Sequence, residues 1–184
     1  MKRIFCLIFL MFGLVRAGEG DDPLAALRKL AGDWQLTFLQ IDEAGVFQNV
    51  GTSHSTFTVK LDGKLVQEET TVKTVRSEFP ILVCYTYDPT RKVYRKSSTD
   101  AVSGNMDILE GQMADGVLTV DNTKYQTWFV NRSGTELAFR ITFDVSRPEQ
   151  PIMIADLSTD HGLTWHQFQH IIYKRQPPRS ASNP

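Results

Sequence analysis

The feature that most constrains this chain is an alternation of apolar and polar residues with a period of two. Trp34, Leu36 and Phe38 alternate with polar residues, and the same alternation returns in residues 57–61. This period is typical of β-strands that have one buried and one solvated face. The pattern therefore predicts a fold built mainly from short strands.

Tight-turn signals such as Asp62-Gly63 and Asp115-Gly116 divide the chain into about ten strand-like runs. Consecutive strands joined by tight turns pair in antiparallel order. An open sheet of this size would leave two unpaired edges, which closure removes, and a barrel of about eight or more strands can hold a small ligand. The sequence predicts an all-β fold, an antiparallel up-and-down β-barrel of about ten strands.

A short helix is predicted before the first strand. An Asp-Pro pair at residues 22–23 is typical of a helix start, and Leu24, Leu27 and Leu30 recur at helical spacing before Gly32. The leucines form one apolar stripe that must be buried. We expect this N-terminal helix to close one end of the barrel.

The N-terminus has the pattern of a secretory signal peptide. Lys2 and Arg3 precede an apolar run, residues 4–15, and small residues near Ala17 suit signal peptidase. The run is too short to span a bilayer, so we expect no stable membrane insertion and a secreted or periplasmic protein. The chain then divides into a signal peptide (1–17), a barrel domain (18–175) and a disordered Pro- and Ser-rich tail (176–184).

Composition excludes some classes of partner. Residues 1–17 carry three of the 20 basic residues and none of the 21 acidic ones, which leaves a net charge of −4 for the rest of the chain. This balance gives no electrostatic footprint for nucleic acid. Only Cys84 remains after residue 17, so no intramolecular disulfide is expected. The oligomeric state is left open.

The stretch STDHGLTW matches the Asp-box of sialidases and related β-propellers. Its fixed positions are Ser158, Asp160, Gly162, Thr164 and Trp165. A propeller needs one copy per blade, whereas this chain has a single copy and no internal repeat. We interpret the motif as a hairpin turn that joins the last two strands, because Asp accepts backbone hydrogen bonds in turns and Gly permits a positive φ.

Gly32 and Trp34 resemble the Gly-x-Trp signature of lipocalins, in which the Trp closes the barrel floor beside an Arg near the last strand. Arg175 is the counterpart of that Arg. The chain as a whole resembles a lipocalin-like bacterial family of unknown function within the calycin superfamily. The elements that carry this resemblance are residues 27–34, 62–65, Tyr87-Asp88, Tyr94, Gly111, Asp115-Gly116, 158–165, Tyr173 and Arg175. It implies a lipocalin-like barrel and no established activity.

The chain is more distantly similar to nitrobindin, a ten-stranded barrel that binds haem through a His near its C-terminus. His166 and His170 lie in the matching region. The glycines that follow the Trp in nitrobindin are absent here, and the spacing to the closing Arg differs. The sequence therefore predicts no cofactor, with haem left open as an alternative.

Several aromatic residues at alternate strand positions are candidates to line one cavity, together with His170. Tyrosines supply an apolar wall with polar tips, which suits a small-molecule site, although core packing explains many of these positions equally well. The cavity candidates are Phe38, Phe57, Tyr85, Tyr87, Tyr94, Trp128, Phe139 and His170. The sequence does not show which face of the last strand is interior.

The sequence assigns no catalytic residue and no metal site. There is no Gly-x-Ser-x-Gly elbow, and Cys84 lies within an apolar run where a buried, unreactive thiol is the usual case. On a strand, His166 and His170 are roughly 13 Å apart, too far to share one metal ion. Glu68 and Glu69 point to opposite faces, and we interpret them as solvated residues, although one of them can face inward.

The sequence thus favours an exported barrel that binds a small apolar or amphipathic molecule in its interior. Two alternatives remain: an enzyme with a His or a carboxylate inside the barrel, and a nitrobindin-like haem protein. The sequence leans against an enzyme without excluding one.

Overall fold

A computed structural model describes residues 22–42 and 44–177. The predicted signal peptide at 1–17 lies outside the described residues, as does the predicted tail from residue 178 onward. Within the described part, no helix is long and apolar enough to cross a membrane.

Ten antiparallel strands form a closed barrel, which confirms the predicted fold class. Each barrel strand pairs with the next barrel strand along the chain, and the ring closes where the last strand pairs with the first. A further two-residue strand, Phe129–Val130, pairs with the barrel strand Glu136–Asp144 and lies outside the barrel. The strands are β1 Gly32–Ile41, β2 Phe47–Lys60, β3 Leu65–Lys73, β4 Glu78–Asp88, β5 Val93–Asp100, β6 Met106–Ala114, β7 Val117–Asp121, β8 Phe129–Val130, β9 Glu136–Asp144, β10 Ile152–Ser158 and β11 His166–Arg175.

The predicted helix is present but short. Helix α1 spans Ala25–Arg28, and single turns continue it to Leu30. Leu24, Leu27 and Leu30 are 4%, 0% and 0% exposed, so the apolar stripe is buried as expected. In the turn before the helix, the Asp22 carboxylate accepts the N–H of Leu24 at 3.1 Å.

Helix α1 closes one end of the barrel through contacts with β1, β5 and β11. The Trp34 indole donates to the Leu30 carbonyl at 2.7 Å, and the Tyr94 hydroxyl donates to the Pro23 carbonyl at 2.7 Å. Arg175 donates to two further carbonyls of this segment. We call the opposite end, where β1 leads into β2 and β3 leads into β4, the mouth.

The inner and outer faces of β11 are now defined. Ile171 and Tyr173 are 7% and 1% exposed and belong to the core, and Gln169 shares their face. His170 therefore lies on the outer face, because successive strand residues alternate. A register shift between β10 and β11 interrupts this alternation before His166, which is exposed near the mouth.

The sequence YQTWFV at residues 125–130 has a strand-like pattern and predicts a strand, but only its last two residues, β8, form one. Asn122 directly follows β7, and its side chain accepts the N–H of Phe139 at 2.9 Å and donates to the Thr127 carbonyl at 3.1 Å. These bonds hold residues 123–126 in a turn, in which Gln126 has a positive φ of 53°. The local pattern of the sequence does not contain this cross-strand contact.

Candidate functional site

A buried carboxyl group lies at the centre of the barrel. Glu68 on β3 is 1% exposed. Its Oε1 accepts hydrogen bonds from the Ser55 hydroxyl at 2.8 Å and the Tyr173 hydroxyl at 3.0 Å, and its Oε2 accepts one from the Tyr85 hydroxyl at 3.2 Å. Three donors from β2, β4 and β11 thus compensate for the loss of water around this group. The expectation that Glu68 is solvated is wrong; Glu69 is exposed.

Burial has the largest effect on the pKa of Glu68. Loss of water raises the pKa of Glu68, and the hydrogen bonds from Ser55, Tyr173 and Tyr85, with the Lys96 charge, oppose that rise. Burial, reinforced by the nearby Glu68 charge, raises the pKa values of Tyr85 and Tyr173 well above the ordinary value. Both tyrosines therefore stay protonated and keep donating to Glu68.

A buried lysine lies on β5, the strand that pairs with β4. Lys96 is 6% exposed, and its Nζ lies 3.4 Å from the Ser98 hydroxyl. Burial lowers the pKa of Lys96, while the charges of Asp107 and Glu68 act in the opposite direction. Together, six inward-facing buried residues form what we call the polar interior: Ser53, Ser55, Glu68, Lys96, Ser98 and Gln169.

Aromatic side chains pack around Glu68 in the middle of the barrel. The ring centroids of Phe57, Phe143 and Tyr173 lie 5.3–6.5 Å apart, and Tyr85 lies 6.2 Å from Phe143. Trp34 contacts Tyr173 from the α1 end at 6.2 Å. The end of the barrel near α1 is therefore filled with side chains.

The interior becomes more polar and less enclosed toward the mouth. Ser98 on β5 lies one inward position nearer the mouth than Lys96, as Ser53 on β2 does relative to Ser55. Ile81 on β4 and Asp107 on β6 also face inward but are only half-buried. Asp107 accepts from Asn122 at 3.1 Å, which connects the polar interior to the loop before β9. A molecule entering the barrel would meet these groups first.

The structure brings six of the eight predicted cavity residues to the interior. Phe38, Phe57, Tyr85 and Tyr94 are buried core residues, and Tyr87 and Phe139 are partly buried against them. Trp128 lies outside, in the loop before β9, where its ring stacks on His161 at 5.2 Å. His170 lies on the outer face against Phe47, at a ring distance of 4.3 Å.

No histidine is buried in the described barrel interior, where it could bind a haem iron. None of the four histidines of the sequence is buried: His54 and His170 lie on outer strand faces, and His161 and His166 are exposed in or beside the β10–β11 connection. Within residues 22–42 and 44–177, no three His, Cys, Asp or Glu side chains are grouped to hold a metal ion. Cys84 also lies on an outer face, and partial burial raises the pKa of its thiol.

The predicted signature residues lie at the two ends of the barrel. The Arg175 guanidinium lies 4.3 Å from the Trp34 ring, beside Gly32. The segment Ser158–Trp165 connects β10 to β11 near the mouth, and Asp160 accepts the N–H of Thr164 at 2.9 Å and the hydroxyl of Ser158 at 2.6 Å. Hydrogen bonds from Ser158 and Thr164 hold the pKa of Asp160 far below its ordinary value. Neither group touches the polar interior.

An open groove also crosses the outer face of β2, β3 and β4, lined partly by His54, Thr56, Gln67 and Glu69. The Glu69 carboxylate accepts a hydrogen bond from Gln67 at 2.7 Å on an exposed surface. Polar groups on this exposed surface are hydrated, so replacing their water with a ligand contributes little binding free energy. The polar interior is the better candidate site.

Sequence reasoning missed Lys96 and Ser98, although a signal for them exists. Lys96 and Ser98 lie two and four residues after Tyr94, a predicted cavity residue, on the same strand. An inward-facing Tyr94 therefore places both side chains inside the barrel. A lysine in an alternating strand is ordinarily assigned to the solvated face, and this assumption concealed the residue.

The fold and the polar interior define a closed β-barrel compatible with a ligand-binding role. Residues 21–175 match the family described as "Protein of unknown function (DUF1579)", and the chain belongs to that family. No curated protein matches the sequence.

Proposed function

We propose that this chain is an exported binding protein that holds one small, partly apolar molecule inside its barrel. The observation that carries the proposal is the polar interior: six buried polar side chains face inward, from Glu68 among the core aromatic residues to Ser53 and Ser98 nearer the mouth. A purely structural core of this size would be expected to be apolar. The N-terminal pattern of residues 1–17 supports export.

Native mass spectrometry of the gently purified protein tests this function. We expect a non-covalent adduct that is lost on denaturation. Ser98→Leu should reduce the adduct, because it adds bulk to the polar interior, whereas Ser97→Leu on the outer face of the same strand should keep it. No adduct on the wild-type protein, or equal adducts on both variants, would contradict the proposal.

Glu68 favours a second candidate function, an enzyme that uses this carboxyl group as a general acid or base. Its pKa is raised by burial, which is the usual way a carboxyl group is tuned for proton transfer near neutral pH. Incubating the extracted ligand with wild-type protein and with Glu68→Gln tests it. A new product mass with the wild type alone would support catalysis; unchanged ligand with both would exclude it.

A further inference from the structure

Lys96 has fewer polar contacts than a buried ammonium group requires. The group carries three N–H donors, yet its hydrogen bond to the Ser98 hydroxyl is 3.4 Å long, beyond the usual range for such a bond. Among the described residues it has no second hydrogen bond, and no carboxylate oxygen lies within 4.0 Å. Burying such a group without a counter-ion is unfavourable.

The two carboxylates whose charges act on Lys96, those of Glu68 and Asp107, accept hydrogen bonds from other residues. Glu68 accepts from the three hydroxyls already described. Asp107 accepts from the Asn122 amide at 3.1 Å and the Thr127 hydroxyl at 2.5 Å. Each carboxylate therefore has its own donors, whereas the buried ammonium group of Lys96 keeps N–H donors without an acceptor among the described residues.

Apolar residues of β4 and β6 lie directly beside Lys96, and the apolar wall continues along β4 toward the mouth. Tyr85 and Leu109 are its direct partners on β4 and β6, and they are 1% and 0% exposed. Toward the mouth lie Val83, which is 4% exposed, and the half-buried Ile81. A ligand that satisfies the ammonium group must therefore present an apolar body to these walls.

We propose that Lys96 binds the carboxylate of a small monocarboxylic amphiphile, whose apolar part packs against Val83 and Ile81 on β4. This inference rests on the proposed function, because it names the ligand class of the same interior. A carboxylate accepts two or more of the ammonium donors and supplies the missing counter-charge. The paired charges would also favour the protonated form of Lys96 when the ligand is bound.

Isothermal titration calorimetry with octanoate and with 1-octanol tests this inference, since the two probes share a chain length and differ in the charged group. We expect the wild-type protein to bind octanoate at least tenfold more tightly than octanol. Lys96→Met should weaken octanoate binding at least tenfold and leave octanol binding unchanged. Lys64→Met, which removes an exposed lysine beside the β2–β3 turn, should behave as the wild type.

A second measurement separates ligand recognition from a structural role. The melting temperature of unliganded Lys96→Met should equal or exceed that of the wild type, because methionine fills the space without a buried charge. In the wild type, the ¹⁵N signal of the Lys96 Nζ should shift on addition of octanoate. Loss of octanoate binding together with a lowered melting temperature would point to a structural lysine and overturn the inference.

The failures of the two proposals are distinguishable. If octanol and octanoate bind equally to the wild type and to Lys96→Met, or if the co-purified adduct has no acidic group, the binding function stands and the role of Lys96 is refuted. If no adduct is found and neither probe binds, both proposals fail.

Discussion

Glu68 and Glu69 are neighbours in the chain, yet one is 1% exposed at the barrel centre and the other faces solvent. The difference comes from partners on other strands, because Tyr85 and Tyr173 supply hydroxyls to Glu68 alone. Glu110, on the outer face of β6, shows the same dependence on partners. It contacts Lys124 and accepts from Arg95 at 3.1 Å and Tyr125 at 2.7 Å.

Glu110→Gln should lower the melting temperature at pH 7 by roughly 2–4 °C. The hydrogen bond from Lys124, helped by Tyr125 and Arg95, lowers the pKa of Glu110 from 4.5 to about 2. A depressed folded-state pKa stabilises the protein above the ordinary pKa, and this contribution disappears as the pH falls through about 2. The difference between variant and wild type should therefore narrow between pH 4.5 and pH 2 in thermal melts. An equal difference at every pH would contradict this, and Glu149→Gln in an exposed turn is the control.

At the scale of elements, the β10–β11 connection depends on a glycine that has little free space around it. Gly162 has a φ of +91°, and a Cβ there would collide with the Thr123 methyl group and lie 3.2 Å from the Trp165 ring. Gly134 has a similar φ of +83°, with no atom within 4 Å of the position that a Cβ would take. The two glycines thus separate the effect of backbone strain from that of crowding.

Gly134→Ala should cost about 1 kcal/mol of unfolding free energy, from backbone strain alone. Gly162→Ala should lower the unfolding free energy by about 1–3 kcal/mol more than Gly134→Ala does, because the added methyl group displaces Thr123. Urea denaturation measures both values. Equal losses in the two variants would show that the Thr123 contact relaxes freely.

The attachment of α1 depends on Arg175. Its guanidinium donates to the Lys29 carbonyl at 2.7 Å and the Ala31 carbonyl at 3.0 Å, and it lies over the Trp34 ring. These contacts satisfy carbonyls at the C-terminal end of the helical segment, which lack partners within the helix.

Arg175→Gln should lower the unfolding free energy by about 2 kcal/mol, because charged hydrogen bonds and a cation–π contact are lost. Hydrogen exchange of the amides in residues 25–31 should become faster than in the wild type, with smaller changes near the mouth. Arg147→Gln, in the exposed β9–β10 turn, is the matched control. Unchanged exchange in α1 would refute the proposed attachment.

At the scale of the whole molecule, closure couples all ten barrel strands. The last strand pairs with the first through seven residue pairs, from Trp34–Arg175 to Gln40–Gln169. The core is one cluster that includes both α1 and residues of β11. No part of the described chain has a separate core, so the barrel should open as one unit.

Chemical unfolding should therefore show one transition. Trp34 reports on the α1 end when Trp128 and Trp165 are replaced by Phe, while circular dichroism in the far ultraviolet reports on the whole sheet. The two midpoints should coincide. A fluorescence midpoint at clearly lower denaturant concentration would show that the α1 end unfolds independently.

Much of the architecture was predictable because its signals are local. Alternation in residues 34–38 and 57–61, the turn dipeptides and the leucine stripe of α1 each depend on residues close in sequence. The candidate site was only partly predictable. Phe57, Tyr85 and Tyr94 were identified as interior residues, whereas Lys96 was not, since its strand mixes polar residues on both faces.

The sequence by itself determined the strand order, the closure of the barrel and the helical segment at one end, because short-range periodicity and turn chemistry specify these features. Only the tertiary structure decided which face of β11 is interior, and therefore that Tyr173 rather than His170 faces Glu68. The physical reason is that burial of a charged group depends on partners far away in the chain. Tyr173 lies 105 residues from Glu68, and no local pattern specifies that contact.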